Sequence, residues 1–358
     1  MVQRLIHRMA AMRPFRDRGP SIFHPARLVS WLRFNNNAGE SGAQVDQRRG
    51  DAVAVFVIGS LVLACCARVA RCPEPGESLV AEDFIMEAGG KGFNVALAVH
   101  RLGVPVDGVF AVGNDAPGLF MRRYFSELGL AEDALCVLEV PTGAGVGLIQ
   151  ADGENRIAVY PGANAHLSAE HVAARAGRLR GSDLVFAQFE VSDAPIAAAF
   201  ALAREAGVTT MLNPSPYRPI SEAILAATNV IVVNEQEAAA LAADRPWTGP
   251  YEGLAASLAE AGVDGLIVTR GRRGAWAWWH GESIKQPAFP VEVVDSIGAG
   301  DACAGSVIAA LAKGESFTEA LRWGCAAGAL ATTRLGLVQA LPDMVQLQSM
   351  LGVRNALG

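Results

Sequence analysis

Short runs of apolar and β-branched residues alternate with Ala- and Leu-rich stretches along most of this chain. Stretches such as Ala194–Ala206 and Leu254–Ala261 have the composition of helices. Strands that lack polar alternation are buried on both faces, which favours a mainly parallel sheet covered by helices on both sides. We therefore predict an α/β fold, with strands at Ala52–Ile58, Val106–Val112, Leu184–Phe189, Val208–Leu212, Val230–Val233 and Leu266–Thr269.

The composition supports a large folded interior. Of 358 residues, 51% are hydrophobic and 18% are charged, so the chain can bury a sizeable core. No run of 18 apolar residues occurs, so we expect no membrane span and no membrane partner. The cysteines form no C-x-x-C pair and the histidines are scattered, which predicts free thiols in a reducing cytoplasm rather than a zinc site. The six cysteines are Cys65, Cys66, Cys72, Cys136, Cys303 and Cys325.

Residues 1–50 differ from the rest of the chain. They hold nine Arg and three acidic residues, a net charge of +6, so residues 51–358 carry −12 of the total −6. We predict an Arg-rich, disordered tail outside the fold. An organelle transit peptide and a start codon placed too early give the same pattern. Nucleic-acid binding by the tail has weak support, and the acidic body argues against a nucleic-acid partner.

Polar residues follow several of the predicted strands. Glu190, Asn213, Asn234 and Thr269 each lie at or just after a strand end. Because right-handed crossovers bring the carboxyl ends of parallel strands to one edge, we expect these side chains to share a ligand-binding edge.

A glycine turn with a carboxylate opens the predicted helix from Ala302 to about Ala312. The turn is Gly298-Ala299-Gly300-Asp301. Bare backbone N–H groups at a helix N-terminus attract an anion, and the carboxylate beside them can accept a proton. This combination suits phosphoryl transfer to an alcohol. An Asp that merely caps the helix is the alternative.

A second glycine turn precedes a predicted apolar helix from Val95 to Leu102. It reads Gly89-Gly90-Lys91-Gly92-Phe93-Asn94, and its glycines allow a ligand to approach the backbone closely. Lys91 adds a charge and Asn94 an amide that both donates and accepts hydrogen bonds. A tight turn capped by Asn94 is the alternative.

Two segments interrupt the alternation. Residues 61–82 and 136–160 contain short strand patterns, among them Cys136–Val140, Gly145–Gln150 and Arg156–Tyr160. We predict that they form a small β-sheet lid, while residues 51–60, 83–135 and 161–358 form the core. A lid over the site would exclude water from the reaction.

The order of these motifs resembles the ribokinase-like (PfkB) family of sugar and nucleoside kinases, from about Val53 to Leu341. Further matching segments occur in the same order: Pro73–Glu77, Tyr160–Asn164, Leu212–Pro214, Asn234–Glu237 and Thr269–Gly274. The resemblance implies a mainly parallel sheet with a small β lid, which often forms a homodimer contact. It also implies ATP-dependent phosphorylation of a sugar hydroxyl.

The resemblance assigns roles by matching position. Asp301 would be the base, and the N–H groups of Gly298, Ala299 and Gly300 would hold the γ-phosphate. The acceptor would contact Gly90, Lys91, Gly92, Asn94 and Glu190. Thr269, Gly271, Gly274 and Gly300 would face the nucleotide, while Asn234 and Glu237 would organise Mg²⁺ through water. The bland alternatives are a surface carboxylate at Glu190 and a helix cap formed by Asn234 with Glu237.

Carbonyl groups beside the turn would bind K⁺ in this family. The matching positions are Asp295, Ile297, Ala331, Arg334 and Gly336. The hydroxyl that the family places near this loop is replaced by Ala340.

The acceptor site shows the largest departure from the family. Where the family has an amide and a carboxylate that hold sugar hydroxyls, this chain has Val62 and Ala64. A buried hydroxyl left without a partner costs about 1–3 kcal/mol, so ribose is a doubtful substrate. The resemblance also implies a polar residue near the adenine, and this chain has Cys325 at the matching position. The alternatives to a sugar kinase are a nucleoside or small-alcohol kinase and a binding protein without catalysis; the intact Asp301 turn argues against the last.

Overall fold

A computed structural model describes residues 54–150, 155–244 and 249–352. The predicted tail lies outside the described residues. The described strands are β1 (Val55–Ile58), β2 (Val62–Val69), β3 (Asp83–Gly89), β4 (Val106–Gly113), β5 (Leu135–Leu138), β6 (Gly143–Gln150), β7 (Asn155–Tyr160), β8 (Leu184–Gln188), β9 (Thr209–Asn213), β10 (Val230–Asn234), β11 (Gly265–Thr269), β12 (Ala275–Trp279) and β13 (Glu282–Gln286).

The helices of the described residues cover the two faces of a central sheet. They are α1 (Lys91–Arg101), α2 (Ala116–Glu127), α3 (Ala169–Ala173), α4 (Ala176–Arg180), α5 (Asp193–Ala206), α6 (Glu222–Leu225), α7 (Glu235–Ala243), α8 (Tyr251–Glu260), α9 (Ala299–Ala312), α10 (Phe317–Ala331) and α11 (Met344–Met350). No helix in the described ranges is long and apolar enough to cross a membrane.

The central sheet has the strand order β13-β12-β11-β10-β9-β8-β1-β4-β5. Every pairing from β11 to β5 is parallel, and β12 and β13 add an antiparallel edge. Strand β1 is buried at every position because it lies between β8 and β4 with helices on both faces. The predicted α/β fold with a mainly parallel sheet is confirmed.

A second sheet, the lid sheet, has the order β3-β2-β6-β7. Two predicted boundaries were wrong. We placed Cys136–Val140 in the lid, but Leu135–Leu138 pairs in parallel with β4 in the central sheet. We placed residues 83–89 in the core, but Asp83–Gly89 pairs with β2 in the lid sheet. A short apolar strand cannot reveal its partner from its own sequence, because pairing is a tertiary property.

Helix α9 carries the predicted base and is buried along nearly its whole length. It packs between α1 and α10 through small residues. A Cβ on Gly305 would lie 2.6 Å from the Ala98 Cβ, and a Cβ on Gly324 would lie 2.7 Å from the Val307 Cγ2. These close approaches fix the start of α9 at the carboxyl edge of the sheet.

Where β3 leads into α1, the lid sheet is joined to the core by a connection too short to be flexible. Strand β3 ends at Gly89 and helix α1 begins at Lys91, with Gly90 as the single residue between them. Gly90 has φ of 102°, a left-handed conformation that favours glycine.

Candidate active site

Asp301 lies in the first turn of α9 and is buried. The Asn94 Nδ2 donates a hydrogen bond to the Asp301 Oδ2 at 2.7 Å. Burial raises the pKa of Asp301 above its ordinary value, while the charge of Lys91 and the Asn94 hydrogen bond pull it down. Asn94 therefore holds this buried carboxyl group in place near the Lys91 ammonium.

Helix α1 begins earlier than predicted, at Lys91, and this corrects the capping alternative for Asn94. Gly90 is the N-cap, so Asn94 lies within the first turn and points its amide at Asp301. The Asn94 Oδ1 is buried and has no hydrogen-bond partner among the described residues. A buried amide oxygen without a donor is suited to receive one from a ligand.

The start of α1 touches the end of β1 through two glycines. A Cβ on Gly92 would lie 2.2 Å from the Gly59 Cα and 2.6 Å from the Ser60 nitrogen. Only glycine permits this approach, which brings Lys91 and Asn94 to the carboxyl edge of the central sheet.

Glu190 follows β8, and hydrogen bonds join its carboxylate to the start of α1 and to Ser60, just after β1. Its Oε2 accepts from the Lys91 backbone N–H at 2.9 Å and from the Ser60 Oγ at 2.5 Å. Gln188 donates to the same Ser60 hydroxyl at 3.1 Å. The surface-carboxylate alternative does not fit these contacts, because the Glu190 side chain is bound to the start of α1.

The turn before α9 has the geometry of an anion cradle. Gly298 has φ of 77°, and the N–H groups of Gly298 and Gly300 have no acceptor among the described residues. The Ala299 N–H makes only a long contact of 3.4 Å to the Ser296 carbonyl. Donors without strong partners at a helix N-terminus are available to an anion.

A cavity of about 720 Å³ extends from Asp301 and Lys91 along α10. Its lining includes the predicted nucleotide residues Asn234, Thr269, Gly271, Gly274 and Gly300, together with Cys325. Burial raises the pKa of the Cys325 thiol to about 11, so this side chain is neutral. Gly274 has φ of 83°, and a Cβ there would lie 2.0 Å from the Gln286 carbonyl oxygen, so the loop requires glycine.

Asn234 and Glu237 form the helix cap that was the alternative to a cation role. The Asn234 Oδ1 accepts from the Glu237 N–H at 2.8 Å, and the Glu237 Oε2 accepts from the Asn234 N–H at 2.9 Å. This capping box starts α7.

Comparison with known proteins fits this geometry. Residues 54–344 match the family described as pfkB family carbohydrate kinase. The chain belongs to the pfkB family. It is 31% identical over 288 residues to a ribokinase of Haemophilus influenzae, covering 80% of this chain and 94% of that protein. A deoxyribokinase of Salmonella typhi is 29% identical over 306 residues, covering 84% and 99%.

Solved structures give the same result. A ribokinase of Thermotoga maritima superimposes with a TM-score of 0.77 at 29% identity, covering 84% of this chain and 99% of that one. A ribokinase of Arabidopsis thaliana, solved with ribose and ATP, superimposes with a TM-score of 0.75 at 28% identity and the same coverage. The prediction of an ATP-dependent carbohydrate kinase is confirmed.

The loop that follows α10 in this kinase lies beside the turn before α9. The Thr332 carbonyl accepts from the N–H groups of Val294 at 2.7 Å and Asp295 at 3.2 Å. Apart from hydrogen bonds within helices and strands, no backbone N–H of the described residues donates to the Ala331 carbonyl. A helix C-terminus carries partial negative charge, so carbonyls at this point suit a cation.

Three residues near the kinase site were not predicted from the sequence. Ser60 and Gln188 organise Glu190, as described above. Glu87, on β3, accepts hydrogen bonds from the backbone of the loop after α10. A carboxylate two residues before the Gly89-Gly90 turn was a signal in the sequence, but its partner lies 250 residues away.

Proposed function

We propose that Asp301 accepts the proton of the acceptor hydroxyl as its oxygen attacks the γ-phosphorus of ATP. The N–H groups of Gly298, Ala299 and Gly300 stabilise the phosphoryl oxygens as the bond to ADP breaks. The observation that carries this proposal is the buried Asp301 carboxylate, oriented by Asn94, at the mouth of a helix whose first N–H groups have no strong partners.

The acceptor is held by residues at the start of α1 and by Glu190. Lys91 is placed to neutralise charge, since the attraction of Asp301 raises the pKa of its ammonium group. The free Asn94 Oδ1 accepts from an acceptor hydroxyl. Gly90 offers its backbone to the acceptor, while Gly92, packed on Gly59, holds the start of α1 in place for that contact. Thr269, Gly271, Gly274 and Gly300 line the nucleotide end of the cavity.

The acceptor carries fewer hydroxyl groups that need a hydrogen-bond partner than ribose does. Val62 and Ala64 lie on one face of β2, and neither side chain can hydrogen-bond. A hydroxyl buried against them loses about 1–3 kcal/mol relative to a paired one. A relative that bears the name deoxyribokinase supports this choice. A nucleoside, whose base is apolar on its faces, is the second candidate for the same reason.

A panel of acceptors tests the proposal. Incubation with ATP and Mg²⁺ is expected to release ADP with 2-deoxy-D-ribose about tenfold faster, in kcat/KM, than with D-ribose, since one unpaired hydroxyl costs that much. Nucleosides complete the panel. Equal or better turnover of D-ribose would contradict the acceptor class, and no turnover of any sugar or nucleoside would contradict the kinase assignment for this site.

We assign Mg²⁺ to the part of the cavity lined by Asn234, whose capping partner is Glu237. One Glu237 oxygen belongs to the capping box, and its charge acts on both Lys91 and Asp301. The described residues contain no group of three or more His, Cys, Asp or Glu suited to a metal ion. We therefore assign most of the Mg²⁺ ligands to phosphates and water, with Glu237 reaching it through water.

K⁺ fits the loop between α10 and α11. Its carbonyl ligands would come from Asp295, Ile297, Ala331, Arg334 and Gly336. Gly336 has φ of 87°, which turns the backbone sharply at this point. Ala340 is buried and offers no hydroxyl, so one ligand would be replaced by water.

Both cations are tested in one assay. Replacing tetramethylammonium by K⁺ as the counter-ion is expected to raise the rate several-fold, because a fixed cation beside the cradle strengthens its field. Glu237→Gln keeps an oxygen for the helix cap and removes the charge, so it should raise the Mg²⁺ concentration at half-maximal rate without lowering the melting temperature. Equal rates in the two salts, or an unchanged Mg²⁺ titration, would remove the corresponding assignment.

The lid sheet offers a surface for a homodimer. Strand register places Phe84, Met86, Val146 and Tyr160 on one face, and each is 51–60% exposed. Contiguous exposed apolar residues mark an interaction surface. Light scattering is expected to give twice the monomer mass, and Met86→Lys should lower it. Val345→Lys, at a residue 64% exposed on α11, is the control. A monomer in the wild type contradicts this proposal.

A further inference from the structure

Glu87 lies on the face of the lid sheet opposite the exposed apolar one. It pairs in register with Ala64 on β2, and Gly89 pairs with Val62. Side chains alternate between faces along a strand, so Val62, Ala64 and Glu87 share one face. The Glu87 carboxylate therefore lies next to Val62 and Ala64, the two apolar residues at which the proposed acceptor site differs from the family pattern.

Both oxygens of Glu87 are bound by one short backbone segment. The Leu337 N–H donates to Oε1 at 2.8 Å, and the Val338 N–H donates to Oε2 at 3.2 Å. Gly336 lies just before them, and a Cβ there would be 3.5 Å from Oε1. A carboxylate that accepts two adjacent N–H groups fixes the direction of that backbone.

Leu337 is held between the lid sheet and the glycine turn before α9. Its Cδ1 would be 3.3 Å from a Cβ on Gly89, and its Cδ2 would be 2.9 Å from a Cβ on Gly298. Gly298 precedes Asp301 by three residues, and Gly89 precedes Lys91 by two. The isobutyl group therefore spans from the acceptor-binding turn to the turn that carries the proposed base.

The same segment is fixed from the core. The Arg101 guanidinium, at the end of α1, donates to the carbonyl oxygens of Val338 at 2.5 Å and Leu341 at 2.7 Å. Glu87 thus binds the N–H groups of Leu337 and Val338, while Arg101 binds the carbonyls of Val338 and Leu341. Leu337 consequently has a set position rather than an adaptable one.

We propose that Leu337 is a specificity-determining residue and Glu87 its positioning residue. Leu337 completes, with Val62 and Ala64, an apolar wall of the acceptor site, and Glu87 holds that wall in place. The wall selects acceptors that present C–H rather than O–H groups to it, such as a deoxy sugar. This inference rests on the proposed kinase function and adds the residues that would set its acceptor preference.

The test compares D-ribose and 2-deoxy-D-ribose in wild type and variants of the full chain. Leu337→Ala opens space in which water can hydrate a sugar hydroxyl, so it should shift the kcat/KM ratio toward D-ribose by about tenfold. Glu87→Gln places an amide N–H₂ against a backbone N–H, so it should raise the acceptor KM and relax the same ratio. The KM for ATP should stay unchanged in both, since neither residue lines the nucleotide cavity.

Matched controls separate this effect from general damage. Leu335→Ala lies two residues away at a position 44% exposed, and Glu82→Gln lies on the lid at an exposed ion pair with Arg68. Both should leave the sugar ratio as in wild type. An unchanged ratio in Leu337→Ala and Glu87→Gln, with sugars still turned over, overturns this inference alone. A loss that appears equally in the KM for ATP also overturns it, and no sugar turnover by any of the proteins, wild type included, overturns the proposed function with it.

Discussion

Asp301→Asn is expected to lower kcat by about a thousandfold, the size of a lost general base, while the affinity for ATP stays within a factor of two. Asparagine keeps the shape and can still accept from the Asn94 amide at the position of the 2.7 Å bond. It cannot take the acceptor proton. ADP release measures the rate, and titration of a fluorescent ATP analogue measures the binding.

Asp343→Asn is the matched control for this substitution. Asp343 is exposed and caps α11, where asparagine serves equally well, so turnover should not change. Turnover of Asp301→Asn within tenfold of wild type would refute the assignment of the base.

The raised pKa of Asp301 also predicts how the stability of the protein depends on pH. Burial raises the pKa of this carboxyl above its ordinary value, so folding disfavours its ionised form. When the pKa of a carboxyl group is higher in the folded than in the unfolded protein, the group stabilises the fold at pH below its unfolded-state pKa. This stabilisation is lost as the pH rises through the folded-state pKa. At neutral pH the asparagine variant should therefore melt at a temperature no lower than wild type.

The wild-type rate should fall as pH drops through the raised pKa of Asp301, because the base becomes protonated.

Gly92→Ala is expected to have the largest effect on folding, about 3 kcal/mol of destabilisation, with loss of turnover. Its Cβ would lie 2.2 Å from the Gly59 Cα, and backbone on both sides leaves nothing flexible to move. Helix α1 would have to shift away from β1, taking Lys91 and Asn94 with it. Urea unfolding measures the stability, and ADP release measures the activity.

Gly177→Ala provides the comparison. A Cβ at Gly177, in α4, meets no atom within 4 Å, and alanine favours a helix over glycine. This variant should unfold at the same or higher urea concentration than wild type. Identical midpoints for the two variants would show that the contact between Gly59 and Gly92 is not tight in solution.

The parts of the fold that could be predicted are those encoded locally. Continuous apolar strands such as Leu184–Gln188 and polar residues at their ends, such as Asn234, follow from burial and sheet topology. The pairing of Leu135–Leu138 could not be predicted, because its four residues suit either sheet. The start of α1 was placed too late because glycine weakens helix propensity, and here packing against Gly59 outweighs it.

The candidate site divides in the same way. Asp301 and the glycines around it share a short stretch of sequence, so spacing alone indicated their chemistry. Ser60, Gln188 and Glu87 act through partners 130, 128 and 250 residues away, and no local pattern carries such contacts. The capping box of Asn234 and Glu237 satisfies local rules, so its geometry gives no choice between a structural and a cation-related role.

Because only Gly90 separates β3 from α1, any movement of the lid sheet is coupled to a movement of α1. A strand that runs into a helix through one intervening residue transmits its rotation to that helix. Tilting the small sheet must therefore turn the Lys91 N–H relative to Glu190, its partner at 2.9 Å. On the proposed role of this sheet, its closure over an acceptor would also set the position of the Lys91 N–H against Glu190, so we expect an acceptor too small to contact the sheet to be bound weakly.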